Sequence, residues 1–244
     1  MPGGDSKNHF TSQWQTHSLL YHMNSASDKQ NIAAFFDFDE TLLSIDSASA
    51  GFKVLKEGGY LTRGFMFKMM LTLLMFRLGL VGDQRLARSF ITFYRGRRLQ
   101  PFIDSADEFF REHLQPNYAP AVIERLRWHQ EQGHHTVLLT GSIAYYLTPV
   151  MRDLNMDHLL CTYLEIDDEG VLTGRSRGPV CVGDNKVEQA LDLADRLGID
   201  LSKSYAYGNS HLDIPILAAV GHPYMVNPSN SLLKHGKAEK WETL

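Results

Sequence analysis

Cysteine is scarce in this 244-residue chain: Cys161 and Cys181 are the only two, too few for a disulfide framework and without the spacing of a metal-binding pair. They read as buried thiols of a reducing compartment, and the location expected with them is the cytoplasm. Long apolar runs are missing as well. The best candidate, residues 65–76, is interrupted by Lys68, and the uncharged stretch up to Arg77 holds only eight residues, against the ~20 that cross a bilayer. The N-terminus is polar and lacks an apolar h-region, so no secretory signal is expected. Positive charge is thin, with a net charge of -4 and one short basic cluster, Arg95-Gly96-Arg97-Arg98. That balance argues against a nucleic-acid partner held by counterion release. What is present is ample apolar material: 43% hydrophobic residues over this length make a full core, one domain of ordinary size with a modest insertion.

Residues 1–30 are rich in Ser, Gln, Asn, His and Gly without a sustained period and read as a mobile leader. The run Ile32-Ala33-Ala34-Phe35-Phe36 that follows ends abruptly in Asp37-Phe38-Asp39-Glu40-Thr41-Leu42. A short apolar run bounded by a polar turn fits a central strand of a parallel sheet, and ligands of such sheets sit beyond the carboxyl ends of the strands. In extended backbone Asp37 and Asp39 point to one side while Phe38 turns into the packing. Two converging carboxylates repel each other and call for a cation. An all-oxygen site with few protein ligands suits Mg2+.

Residues 47–116 read as successive helices over 48–56, 63–78, 84–94 and 103–114, punctuated by Gly58-Gly59, Gly79 and Pro101. Within them the apolar 65–76 segment reads as a buried helix; a surface leaning on lipid or on a second protomer is the other reading. A helix over 120–132 follows, closed by Gly133, and then the short strand 136–139, which ends in Thr140-Gly141-Ser142. A hydroxyl and free N–H groups at a strand-to-helix turn can grip phosphate oxygens. His129, His134 and His135 lack ligand spacing and read as solvated. Strands at 159–166 and 171–175 flank the turn Asp167-Asp168-Glu169-Gly170.

Lys186 stands at the start of a helix whose stripe is Val187, Ala190, Leu191, Ala194 and Leu197. The helix dipole disfavours a cation there, which points to another purpose. The strand 204–207 leads into Gly208-Asn209-Ser210-His211-Leu212-Asp213, and 224–227 supplies the expected last strand.

Taken in order, these stretches resemble the four motifs of the haloacid dehalogenase (HAD) superfamily: DxDx[TV]L, a strand-terminal Thr, a helix-start Lys and GDxxxD. The helical insertion after the first motif resembles the C1 cap of subfamily IB, the phosphoserine phosphatase-like branch. The resemblance implies an α/β fold, a three-layer Rossmann-like core over residues 31–46 and 117–244 with a helical cap over 47–116. It implies Mg2+-dependent hydrolysis of a phosphomonoester, a small metabolite or a lipid-like phosphate.

Asp37 would then be the nucleophile that becomes an aspartyl-phosphate, and Asp39 the acid and base. Thr140 and Gly141 would bind the phosphate, and Lys186 would hold both nucleophile and phosphate. Asp37, Asp39, Asn209 and Asp213 would hold the metal. Asn209 departs from the usual aspartate and makes the site one charge weaker. Asp46 stands where phosphoserine phosphatases carry a glutamate, so it is the candidate for an amino group on the substrate. Leu212 replaces a common asparagine, which also weakens a phosphoserine assignment. A phosphotransferase, and a phosphate-binding regulatory protein with a degenerate metal site, are the alternatives. Peripheral membrane contact through the apolar cap is the one partner reading besides the small-molecule substrate.

Overall fold

The computed structural model describes residues 29–244; most of the expected leader lies outside the described residues. Its last two residues are tied to the core. Lys29 Nζ donates to Asp157 at 2.8 Å and to the His134 carbonyl at 3.1 Å, and the Gln30 N–H donates to the Gly133 carbonyl at 2.9 Å.

The strands are β1 Ala33–Phe36, β2 His135–Ile143, β3 His158–Thr162, β4 Leu164–Ile166, β5 Leu172–Ser176, β6 Tyr205–Gly208, β7 His222–Met225 and β8 Glu242–Thr243. The helices are α1 Ser47–Glu57, α2 Arg63–Arg77, α3 Asp83–Ile91, α4 Gln100–Asp104, α5 Ala106–Phe109, α6 Pro120–Glu131, α7 Ala144–Asp153, α8 Asp184–Leu197, α9 Ile214–Ala219 and α10 Asn230–Glu239. Six strands form one parallel sheet in the order β3-β2-β1-β6-β7-β8, and β4 pairs with β5 as an antiparallel hairpin.

Apolar residues on both faces of β1 explain its central place, since a strand covered on both sides reads as a continuous apolar run. Ala34 and Phe36 enter one layer, with Leu138 and residues of α6 and α7. Ala33 and Phe35 enter the other, with Val137, Leu139 and residues of α8 and α9. Phe36 stacks on Tyr207 of the neighbouring strand with centroids 4.6 Å apart. The chain runs outward from β1 to β2 and β3 on one side, then returns to β6, β7 and β8 on the other. The reversal lies between β1 and β6, where an open α/β sheet forms its ligand crevice.

Several expectations need correction. Helix α2 is not buried: Met69 is its one buried residue, while Phe67 (63%), Met70 (60%) and Leu74 (53%) are exposed. The expected 103–114 helix is broken into α4, α5 and a wide turn that buries Phe110 and Leu114. The 159–166 strand is two strands, β3 in the main sheet and β4 in the hairpin. That hairpin packs on the cap. Its Leu172 joins Phe93 and Tyr94 in an apolar cluster, and Gly96 and Arg97 exchange backbone hydrogen bonds with Leu172 at 2.8 Å. In α8 the buried face is Lys186, Ala190, Leu193 and Ala194, whereas Leu191 and Leu197 are exposed. The last strand is β8, beyond the expected one.

The histidines are not solvated. His129 and His134 are buried, with their Nδ1 atoms 2.8 Å apart, and His129 Nε2 lies 2.9 Å from the Tyr207 hydroxyl. His135 Nδ1 lies 3.1 Å from His158 Nε2. Burial, with His134 and Arg125 nearby, pushes His129 down to about 3. The unfolded chain protonates that imidazole near its ordinary value and the folded one does not. Stability is therefore expected to fall as the pH drops below the ordinary imidazole range toward the folded value, by up to about 1.4 kcal/mol per pH unit for this one proton. Urea midpoints at about pH 7.5 and about pH 5 check this, with a smaller drop expected in His129→Leu.

Candidate active site

Beyond Phe36 the backbone stays extended at Asp37 (φ -68°, ψ 159°), whose N–H donates to the Tyr207 carbonyl at 2.9 Å. Phe38 is fully buried, Asp39 is extended again, and Glu40 takes the left-handed region at φ 55°. For a residue with a Cβ that conformation is uncommon and costs on the order of 1 kcal/mol. Contacts hold it: the Glu40 N–H donates to the Ile45 carbonyl at 3.1 Å, and its carboxylate accepts from Asn209 Nδ2 at 2.9 Å.

The two aspartates have different partners. Asp37 Oδ1 accepts from Lys186 Nζ at 2.5 Å, and the same ammonium donates to Asp213 Oδ1 at 2.6 Å. Asp39 accepts from the Ser47 N–H at 2.6 Å and from the Ser142 hydroxyl at 2.8 Å. Ser47 begins α1, so the cap's first helix is attached directly to the second carboxylate. The Ser47 hydroxyl lies 3.3 Å from that of Tyr146. Thr140 is buried and accepts from the Ser142 N–H at 3.1 Å, which shapes the β2 end.

Two glycines permit this assembly. A Cβ on Gly208 would sit 2.5 Å from the Cβ of Asp213, so glycine lets the loop fold back and aim Asp213 at Lys186. A Cβ on Gly141 would meet Val182 at 2.7 Å, so glycine lets the segment before α8 lie against β2. From the cap, Gln84 Nε2 donates to the carbonyls of Val180 and Val182 in that segment, at 3.2 and 3.0 Å.

Electrostatics follow from burial. Burial works to discharge Lys186, but the carboxylates of Asp213 and Asp37 outweigh it and hold the ammonium protonated. Burial first, and then Asp213, pushes Asp37 up to about 7 although Lys186 pulls the other way. Burial also raises Asp39, against the hydrogen bonds from Ser47 and Ser142. A carboxyl so placed holds its proton more tightly than a solvated one, a property useful in a general acid.

Does this donor set suit Mg2+? No three His, Cys, Asp or Glu side chains form a metal cluster among the described residues. Asp213 is saturated, since its Oδ2 accepts from the N–H groups of Asn209 and Ser210 and from the Ser210 hydroxyl. Asp39 has two partners, one on each oxygen. Both carboxylates, expected as ligands, are thus already partnered within the protein. The remaining oxygens belong to Asp37, whose Oδ2 accepts only from Thr41 at 3.4 Å, and to the amide of Asn209. That is a small, hard donor set, and Mg2+ fits it because the ion keeps several waters and accepts phosphate oxygens. Excess negative charge around one ammonium favours a cation too.

Asp46 caps α1, accepting from the N–H groups of Ala48 and Ser49 and from the Ser49 hydroxyl, and so differs from a free recognition carboxylate. Sequence reasoning missed Glu40 and Tyr146, whose side-chain partners lie far away in the chain, and Ser47, whose N–H meets Asp39 only eight residues before it. Ser142 stood in the second motif without a role of its own.

The family model of haloacid dehalogenase-like hydrolases matches residues 34–218. Among curated proteins, the chain is 27% identical to an inhibition of morphological differentiation protein of Streptomyces azureus over 87% of this chain and 77% of that one. It is 27% identical to a phosphoserine phosphatase of Mycobacterium tuberculosis over 89% of this chain and 73% of that one. A Bordetella pertussis protein of unknown function has a similar crystal structure, with TM-score 0.78 and 24% identity over 89% of this chain and 99% of that chain. With the family model spanning most of the sheet and all four motif stretches, the chain belongs to the haloacid dehalogenase-like hydrolases.

Proposed function

We propose that this protein is a Mg2+-dependent phosphomonoester hydrolase acting through a phosphorylated Asp37. The observation that carries the reading is the buried Lys186 ammonium clamped between Asp37 and Asp213, with Asp39 held separately by Ser142 and Ser47. Asp37 attacks phosphorus, the ester P–O bond breaks, and Asp39 gives its proton to the leaving alkoxide. Water then attacks the aspartyl-phosphate, Asp39 takes the proton, and inorganic phosphate leaves. Lys186, Thr140 and the Gly141 backbone bind the phosphate oxygens, since positioning and charge neutralisation supply most of phosphoryl-transfer catalysis. Bound Mg2+, held by Asp37 and Asn209, would neutralise charge on those oxygens.

The leaving group is apolar in this reading. A cavity of about 410 Å3 opens beside Ser47 and Tyr146 and is lined by Phe52, Phe65, Phe93 and Tyr145. The capping bonds of Asp46 disfavour a role in holding the amino group of phosphoserine. Phosphate release from a panel running from phosphoserine to phosphate esters of long-chain alcohols, with and without Mg2+, tests both statements. Turnover of the apolar esters with Mg2+ is expected. Inactivity on the whole panel would overturn the hydrolase, and preference for phosphoserine would overturn the leaving-group assignment.

Asn209 offers a sharper check on the metal. In Asn209→Asp a carboxylate would face that of Glu40 across a contact now 2.9 Å long. Without metal the variant is expected to be less stable. The Mg2+ concentration for half-maximal rate should fall about tenfold, since a cation relieves the repulsion. An unchanged midpoint would place the ion away from residue 209.

A further inference from the structure

We propose that the outer face of α2 and the turn after it dock on an anionic lipid surface. Phe67, Met70, Leu71, Leu74 and Leu78 recur at three- and four-residue intervals, so they form one stripe along the helix. Each is at least 47% exposed, and Leu80 beyond the helix is 66% exposed. The opposite side already packs on the cap through Met69 and Phe65. A helix apolar all round with one side left open has an unfilled contact.

Charge selects the occupant. Helix α2 and the turn after it, residues 63–80, carry Arg63, Lys68 and Arg77 and no Asp or Glu, and residues 47–116 hold eleven Lys and Arg against six Asp and Glu, a net charge of +5 inside a chain whose total is -4. A second copy docked on the same face would bring the cations of its own α2 against these, with no acidic residue of either segment to pair with them. Anionic headgroups complement that charge, and acyl chains complement the stripe, as for a helix lying flat in the membrane interface. No helix among the described residues is long and apolar enough to cross a membrane, so the contact is peripheral. A cleft of about 660 Å3 lined by Phe52, Met66, Met70, Leu74 and Phe90 runs along this helix and ends at Asp46, the cap of α1. It joins the docking face to the helix that touches Asp39.

Sedimentation of the full chain with vesicles tests the proposal, and its readout needs no enzymatic activity. Binding is expected to phosphatidylcholine vesicles containing phosphatidylglycerol, weakening at least about tenfold on pure phosphatidylcholine or in high salt. Phe67→Gln with Leu74→Gln should abolish binding while leaving the thermal midpoint and phosphate release from a soluble ester unchanged. No binding to anionic vesicles at low salt would overturn the inference. So would binding that survives the double substitution. Concentration-dependent dimers or an acidic-protein complex lost in that variant, without vesicle binding, would assign the face to a protein partner instead.

Discussion

Asp37→Asn is expected to give a folded protein whose turnover is lower by more than about a thousandfold on every ester, because a neutral amide is a poor nucleophile toward phosphorus. Stability should move the other way. Asp37 is raised to about 7 in the fold, above its unfolded value, so its ionised form opposes folding once the pH exceeds the unfolded value. The asparagine keeps the shape and removes that charge, and Lys186 retains Asp213 as a partner. Without Mg2+, the thermal midpoint at about pH 8 should therefore equal or exceed that of the parent, the behaviour of a site shaped for chemistry at the expense of stability. Activity above about a tenth of the parent's would remove Asp37 from the nucleophile's place.

Lys186→Met is expected to lose both activity and stability. The side chain is buried, and its ammonium is the cation between Asp37 and Asp213. Removing one member of a buried charged group leaves the others uncompensated and costs about 3–5 kcal/mol. Turnover should drop on the order of a hundredfold to a thousandfold, the effect of losing a preorganised charge aimed at the transferring group. The pH dependence has a definite sign. With the ammonium gone Asp37 rises further above its unfolded value, so the variant should be closest to the parent at low pH and fall away as the pH increases. Chemical denaturation at about pH 5 and about pH 8 would show it; a destabilisation equal at both would mean that Lys186 acts by packing. Lys186→Arg should not rescue turnover, because a planar guanidinium cannot occupy the place of a compact ammonium 2.5–2.6 Å from both carboxylates.

Legibility followed the range of the interactions. The run through Phe36 and the abrupt Asp37 mark a strand end through local apolarity alone, and β1 begins and ends close to that expectation. Lys186 was conspicuous because it opposes the dipole of its own helix, a local conflict that asks for a distant reason. Glu40 carried no such mark. Its left-handed backbone and its bond to Asn209 depend on a residue far along the chain. His129 and His134 looked like surface residues because polarity was all the sequence showed. Burial against Tyr207 could be seen only once β6 lay beside β1.

By itself the sequence determined the parallel core, the order of its chemistry-bearing strand ends and the helical insertion, since each depends on periodicity and punctuation within some fifteen neighbouring residues. Tertiary structure alone decided how the acidic groups are partnered: Asp39 accepts from Ser47 and Ser142, Asp213 from Ser210 and Lys186, and Asp37 from Lys186 and Thr41. It also decided which side of α2 faces water, because a helix apolar all round gives no local signal of the side its neighbours will cover.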